Sequence, residues 1–407
     1  MAFVYRPKWR FILVNSLDLS RIGELRQASG RKLNVLANKP GSSDFTYPMD
    51  AHYAATIEKY KTGIIAERFN WRATRTWQAG GNHGEIWDAI WSGYVRTINE
   101  NWTDNKMVIS CLGWMERLQK RYVRTDMLWS TTDDSLIIRD LVQKLNGDPA
   151  GPSFEMNTGV SSYTAPDGYS VRWPAGSLPN TSTWVKWGGT LPNEGVGGAT
   201  SYVAAPRNFK VAKYQYVGPI IDQIVNIENG CDISLDPKTR VLTCHRRYRR
   251  VMDNVIVGFN WGPRNAAAFN RDLDGEREVN YLLAQGDAAT TPAFKDDVTR
   301  IDQIGLIEEV EQISGINDNA VLLAYAGAEV LVRANGLVTY GVTPFGYTSI
   351  NSSPEPFVDY RVGDQIRVTA KLPPRGNITN QAVRVFGMSV DIDDSGNEKL
   401  GQLQIAP

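Results

Sequence analysis

The sequence predicts an α+β chain, mainly β: two small antiparallel β domains with intervening helices, hairpins and a Gly/Pro-rich insertion. Three observations carry this. Short alternating apolar runs closed by turn residues fill the first 112 and the last 70 residues of the 407. Apolar stripes of helical period lie between them. Residues 147–206 hold 17 Gly or Pro in 60 positions, far denser than the 36 Gly and 20 Pro of the whole chain, so this segment is expected as an extended insertion without a compact core. The expected division is 1–125 for the first β domain, 126–290 for a middle α+β region containing the insertion, and 291–407 for a helix plus the second β domain.

Length and composition agree with more than one packed core. At 407 residues the chain exceeds what one core usually supports, and 42% hydrophobic with 22% charged residues is globular composition. Forty-four Lys and Arg balance forty-four Asp and Glu, which leaves no global field to draw the chain onto nucleic acid or an anionic membrane. The N-terminus has only "FILV" as an apolar run and no small-residue cleavage site, so neither a signal peptide nor a membrane-spanning segment is expected. Three cysteines, Cys111, Cys231 and Cys244, are an odd number in a long chain and suit reduced thiols in a cytoplasm.

In chain order, Leu33, Val35 and Ala37, then Phe45, Tyr47 and Met49, alternate as half-buried strands do. "KMVISCLGWMERLQKRY" switches period: a strand through Leu112, then Met115, Leu118 and Tyr122 at helical spacing. "TTDDSLIIRDLVQKLNG" is the clearest helix, with Thr131 and Asp134 at capping-box spacing, a stripe of Leu136, Ile137, Leu141 and Leu145, and Asn146-Gly147 at its exit. After the insertion, "GPIIDQIVNIENG" reads as a short helix with Pro219 in its first turn and Asn229-Gly230 at its end. "CDISLDPKTRVLTCHRRYRR" reads as two strands joined by an Asp-Pro-Lys-Thr turn. "AAFNRDLDGEREVNYLLAQG" predicts another hairpin about Asp274-Gly275, with Val279, Tyr281 and Leu283 on one face. "DNAVLLAYAGAEVLVRANG" predicts a helix whose buried stripe is Val321, Ala324, Tyr325, Ala328, Leu331 and Val332, ending at Gly336. The C-terminal strands include "YRVGDQIRVTA" and "AVRVFGMSVDIDDSG".

No motif here carries catalysis. The basic stretch Thr243–Arg250 looks like a nucleic-acid grip, but a strand sends His245, Arg247 and Arg249 one way and Arg246 and Arg250 the other, with only Tyr248 to stack. A solvated or subunit-facing strand is the better reading. Adjacent Cys244 and His245 point to opposite faces, and no C-x-x-C pair exists, so no metal is expected and the cysteines read as buried thiols. Asp391, Asp393 and Gly396 match the start of a calcium loop, but its last position would be Gln402 where a bidentate Glu is needed; a hairpin turn fits better. His52 and His83 sit in no nucleophile, zinc or cysteine-protease context, and no phosphate-binding glycine loop is present. No catalytic, cofactor-binding or metal-binding residue is therefore assigned, and no cofactor is expected. Trp173, Trp184 and Trp187 in the insertion either pin it to its neighbour or anchor an interface; stacking on sugars is the alternative.

Several segments together resemble the tail hub family of siphoviruses, often labelled minor tail proteins in phages of actinobacteria. They are the strands ending in "VISCLGWMERLQKRY", the unit "VIVGFNWGPRNAAAFNRDLDGEREVN", and "PFVDYRVGDQIRVTAKLP" with "VRVFGMSVDIDDSG". The resemblance implies a non-enzymatic virion protein at the tail tip, a homotrimer with two tail-tube-like β-barrel domains per chain. Six barrels around the ring would adapt a hexameric tail tube to a trimeric tip. Its implied partners are distal tail and tail-tube proteins, tape-measure protein, and tail-tip or receptor-binding proteins, with DNA only passing through the lumen. The insertion departs from this plan. A host cell-wall carbohydrate-binding tip protein is the alternative, and a peptidoglycan-cleaving tail enzyme a further one.

Overall fold

In the computed structural model the chain is described from Lys8 to Ala406, except residues 71–72, 75–84, 147–154, 157–162, 165–168, 173–182, 189–200, 204–205, 226–230, 247–250, 261, 287–290, 314–318, 335–336, 346–353 and 374–375. Among the described residues strands account for 53% and helices for 17%, which makes the fold mainly β, as expected.

The N-terminal strands are β1 (Trp9–Asn15), β2 (Arg21–Glu24), β3 (Ser29–Leu36), β4 (Ser42–Pro48), β5 (Thr62–Phe69), β6 (Trp87–Asn101) and β7 (Lys106–Gly113). The C-terminal half adds β8 (Val251–Phe259), β9 (Ala266–Asp274), β10 (Leu337–Pro344), β11 (Gln365–Lys371), β12 (Asn377–Ile392) and β13 (Glu398–Ala406). All thirteen belong to one sheet in the order β9-β10-β13-β12-β3-β4-β7-β6-β5-β1-β2, with β11 and β8 branching from β12. The two end units are therefore continuous through the β12–β3 ladder, Gly387 opposite Leu36 to Ile392 opposite Arg31. Among the described residues no ladder closes either unit into a barrel.

Alternation explains the local elements. In β4, Ser43, Phe45 and Tyr47 are buried and their neighbours are not, as the pattern predicts. The β12–β13 turn is the expected hairpin: Asp393 Oδ1 accepts from the Asn397 amide at 2.8 Å, and Gly396 takes φ +82°, where a side chain would be strained. At the end of β7, Gly113 is required by packing, because a Cβ there would lie 1.7 Å from the Pro40 carbonyl oxygen. One apolar core runs beneath both units, from Phe11, Phe45 and Ile109 to Val385, Met388 and Leu403.

A second core holds the middle of the chain. Helix α1 (Met115–Gln119) follows β7, but it is one turn long, and Tyr122 lies beyond it and exposed. Helix α2 (Asp134–Asn146) buries Ile137, Ile138, Leu141, Val142 and Leu145. Its start differs from expectation: a strand, Met127–Asp133, continues through Thr131 and pairs with Pro206–Val211, so Thr131 lies in extended backbone and the helix begins at Asp134 itself. Helix α3 (Val217–Val225) carries Pro219 in its first turn, as expected, and buries Ile220, Ile221 and Ile224; Asn229 and Gly230 lie outside the described residues.

Two further expectations are corrected. The hairpin about Asp274-Gly275 does not form. Its first arm, β9, pairs with β10 instead, while Tyr281–Gln285 pairs with Ala293–Asp296 and, in parallel, with Glu308–Gln312. Helix α4 (Val298–Ile304), capped by the Asp297 carboxylate, connects the last two. The stripe of helix α5 (Asn319–Arg333) is phased differently from the prediction: Leu322, Ala326 and Val330 are buried against Leu282, Ala284 and Ala293, while Leu331 and Val332 face solvent.

Within the insertion, Tyr163–Thr164, Tyr169–Arg172, Thr183–Gly188 and Ser201–Val203 form an antiparallel sheet of their own. The strands of this sheet pair with each other, while Glu155–Met156, earlier in the insertion, pairs in parallel with Val241–Leu242, so the segment has more order than its composition suggests.

Candidate functional site

The junction between the two sheet units concentrates the buried charge. Arg68 on β5 is buried, and its Nε donates to Glu398 Oε2 at 2.9 Å while its Nη2 donates to Glu398 Oε1 at 2.8 Å and Glu355 Oε1 at 2.7 Å. Both carboxylates are buried as well, and Trp9 Nε1 donates to Glu398 at 2.8 Å. Burial works to lower the pKa of the guanidinium, but Glu398 and then Glu355 outweigh it and raise the pKa, so Arg68 stays charged. Arg31 on β3 adds a second buried cation, whose Nη2 donates to the Asp393 carbonyl at 2.7 Å. The backbone seam is thus reinforced by side chains from positions 9, 31, 68, 355 and 398.

The hairpin Cys231–Arg246 locks the middle region onto this frame. Its strands Cys231–Leu235 and Val241–Arg246 pair as predicted, and Asp236 Oδ1 accepts from the Lys238 and Thr239 amides across the turn. Asp232 accepts from Asn38 Nδ2 at 2.9 Å and lies 2.5 Å from Arg384 Nη2 on β12. Burial raises the Asp232 carboxyl above its ordinary pKa, more than Arg384 and Asn38 lower it. Arg240 donates to the Ser16 carbonyl at 3.0 Å and to the Leu17 carbonyl, and Lys238 sits 3.3 Å from Glu67.

The residues weighed in the sequence do not converge. Thr243 and Cys244 are buried in the hairpin with Cys231, while Arg247, Tyr248, Arg249 and Arg250 lie outside the described residues. Burial pushes the Cys111 thiol well above its ordinary pKa, the opposite of what a nucleophile needs. His52 lines an open cleft of about 810 Å³ with Tyr53, Tyr47, Arg21 and Arg26, and His83 lies outside the described residues. Trp184 and Trp187 share the strand Thr183–Gly188, opposite Tyr202 and Ser170, and Trp173 is outside the described residues. Among the described residues no three His, Cys, Asp or Glu converge as metal ligands, and no helix is long and apolar enough to cross a membrane.

Two carboxylate groupings escaped the sequence reading. Glu355 and Glu398 flank one arginine inside the protein, where no substrate reaches. Glu309, Glu311 and Glu329 surround Arg333, and burial, followed by Glu311, raises the Glu329 carboxyl. Tyr94 donates to Glu116, and the Arg117 guanidinium stacks 4.4 Å over its ring; this closes the gap between β6 and α1. Each is an ion pair or network that satisfies itself, which is structural chemistry.

No protein-family model matches the sequence, and no curated protein matches it. Solved structures do share the fold over nearly the whole chain. A 43 kDa tail protein of prophage MuSo2 from Shewanella oneidensis superposes with a TM-score of 0.55 at 11% identity, covering 98% of each chain. The prophage tail protein gp18 from Listeria monocytogenes gives 0.52 at 10% identity, covering 97% of this chain and 94% of its own. A tail protein from Neisseria meningitidis gives 0.51 at 8% identity, covering 98% and 96%. At such identities the likeness carries the fold.

Proposed function

We propose that this chain is a structural protein of a bacteriophage tail, the hub at the tail tip. Three copies would form a ring with two sheet units from each, six in all, adapting a hexameric tube to a trimeric tip. The ring would bind distal tail, tube and tip proteins and form the channel through which tape-measure protein and DNA pass. The observation that supports this best is the whole-chain extent of the likeness to three tail proteins, end units and middle region together. The seam is what such a role needs. A ring element under axial load must transmit force between its units, and buried charge-assisted bonds on a continuous sheet resist that separation.

The work is mechanical, and no residue turns over a substrate. An insertion with its own sheet, Tyr163–Val203, suits decoration of the outer surface or contact with another tail protein. The experiment is electron microscopy of purified virions labelled with an antibody against this chain. Label at the tail tip in three copies supports the hub; label along the tube, or none, overturns it.

A further inference from the structure

Two exposed surfaces of the middle region have opposite charge and matching apolar character. The first is the open face of the sheet formed by Tyr281–Gln285, Ala293–Asp296 and Glu308–Gln312. Helix α5 covers the other face, so Leu282 and Ala284 are buried beneath it. On the open face the register aligns Phe294, Leu283 and Val310 across the three strands, and beside them Asp296, Tyr281 and Glu308. Phe294 is 53% and Val310 58% exposed, and the Phe294 and Tyr281 rings stack at 5.6 Å. The result is an apolar row with a carboxylate at each end of the adjoining row.

The second surface lies where Met127–Asp133 pairs with Pro206–Val211 and the chain runs on to α3. Trp129 and Phe209 face the core, which turns Leu128, 75% exposed, and its partner Lys210 outward. Beside them Tyr122 and Tyr214 approach at 5.9 Å, Tyr216 bridges to Tyr122, and Lys213 Nζ sits 4.7 Å over the Tyr214 ring. Tyr214, 65% exposed, has φ +69°, a left-handed backbone that a bulky residue keeps only when its surroundings hold it there. Three tyrosines, a leucine and two lysines thus share one solvent-facing surface.

Among the described residues the ammonium groups of Lys210 and Lys213 make no ion pair, although the Asp126 carboxylate accepts from the Lys213 amide at 2.7 Å, and neither Asp296 nor Glu308 pairs with a base. Each patch has the aromatic and apolar centre of an interface, and their net charges are opposite: Lys210, Lys213 and Arg124, which lies 5.6 Å over the Tyr122 ring, outnumber Asp126 on one, while Asp296 and Glu308 carry the other. We infer that the acidic face around Phe294, Leu283 and Val310 docks on the basic tyrosine face around Tyr214 and Leu128 of a second copy of this chain. Two different patches meeting make a heterologous contact, and a heterologous contact that repeats by rotation closes into a ring. The inference rests on the ring proposed above and gives it an interface.

The test is charge reversal in the full chain, read by analytical ultracentrifugation over a concentration series. Lys210→Glu with Lys213→Glu, and separately Asp296→Lys with Glu308→Lys, should each weaken self-association at least about tenfold, with circular dichroism unchanged. The chain with all four reversals should return to within about threefold of the unsubstituted protein, because the charges are again opposite. An unsubstituted ring that neither pair of substitutions disturbs overturns this interface and leaves the hub intact. A chain that stays monomeric at every concentration overturns both. Variants that leave a monomer unchanged but fail to join tails assign the patches to a different tail protein and overturn the inference.

Discussion

Arg68→Met tests whether the seam holds the two sheet units together. The guanidinium makes three charge-assisted hydrogen bonds at 2.7–2.9 Å to Glu398 and Glu355, and all three side chains are buried. Such bonds contribute roughly 1.5–3 kcal/mol each, against a desolvation cost of several kcal/mol per ion. The net worth of the intact triad is therefore modest. Removing only the cation is different, because two buried carboxylates then lose the Arg68 charge that offsets their desolvation, and the expected loss is about 3–5 kcal/mol. Urea unfolding followed by tryptophan fluorescence measures it, and Trp9, bonded to Glu398, reports from within the cluster. Arg68→Met with Glu355→Gln and Glu398→Gln should recover at least half of the loss, since amides leave no net charge buried. A loss below about 1 kcal/mol for Arg68→Met alone, the range of a solvated surface pair, would refute the reasoning.

Four further outcomes follow from the same structure. Gly113→Ala puts a Cβ 1.7 Å from the Pro40 carbonyl and should cost about 2 kcal/mol or more, whereas Gly275→Ala meets nothing within 4 Å and should stay within about 0.5 kcal/mol; thermal melts of the pair decide it. Asp232 has a carboxyl pKa raised by burial, so its ionised form weakens the fold as pH rises above the ordinary value of 3.8. The destabilisation by Asp232→Asn should accordingly be largest at acid pH and shrink toward neutrality, in urea titrations at matched pH. Trp102, 77% exposed at the tip of the β6–β7 hairpin, should be replaceable by Ala with a stability change within about 0.5 kcal/mol, yet reduce incorporation into tails in a complementation assay. Replacing residues 161–203 by a short Gly-Ser linker should leave the melting temperature of the remainder nearly unchanged, since the described strands there pair only among themselves.

What was legible in the sequence is what is local. Alternation located β3 and β4, the stripe located α2, and the Asp-Pro-Lys-Thr turn located the Cys231–Arg246 hairpin, because each depends on neighbours within a few residues. Pairing is not local. Asp274-Gly275 carries a turn signal, yet β9 takes its partner from residues 337–344, where a strand with complementary register lies across the sheet. The α5 stripe was misphased for a related reason. A helix this apolar offers more than one plausible face, and the small sheet of Leu282, Ala284 and Ala293 selects Leu322, Ala326 and Val330. The seam left almost no trace: Arg68 and Glu398 are 330 residues apart. Asp232 gave one unused sign, a carboxylate between Cys231 and Ile233 in the strand "CDISL".

Salt dependence separates two ways in which copies of this chain would meet in the proposed ring. The long sheet ends at β2, at β9 and, on its branch, at β8, and free edges can extend a sheet into the next copy. These edges are poorly suited to that. β2 is four residues long and carries Arg21 and Glu24, β9 exposes Asn270, Arg271 and Asp272 in succession, and β8 exposes Asp253 and Asn254. Charged edge strands disfavour backbone pairing between copies, so association falls to side chains, and the charged patches of the middle region are placed to supply it. Charges at an exposed interface rim are screened beyond about 10 Å at 0.1 M salt and about 3 Å at 1 M. Self-association should therefore weaken steadily between about 0.05 and 0.5 M sodium chloride, with the apolar rows keeping a residual affinity. Sedimentation across that series checks it. An association that is indifferent to salt and blocked by a proline placed in β9 would assign the contact to the sheet edge instead.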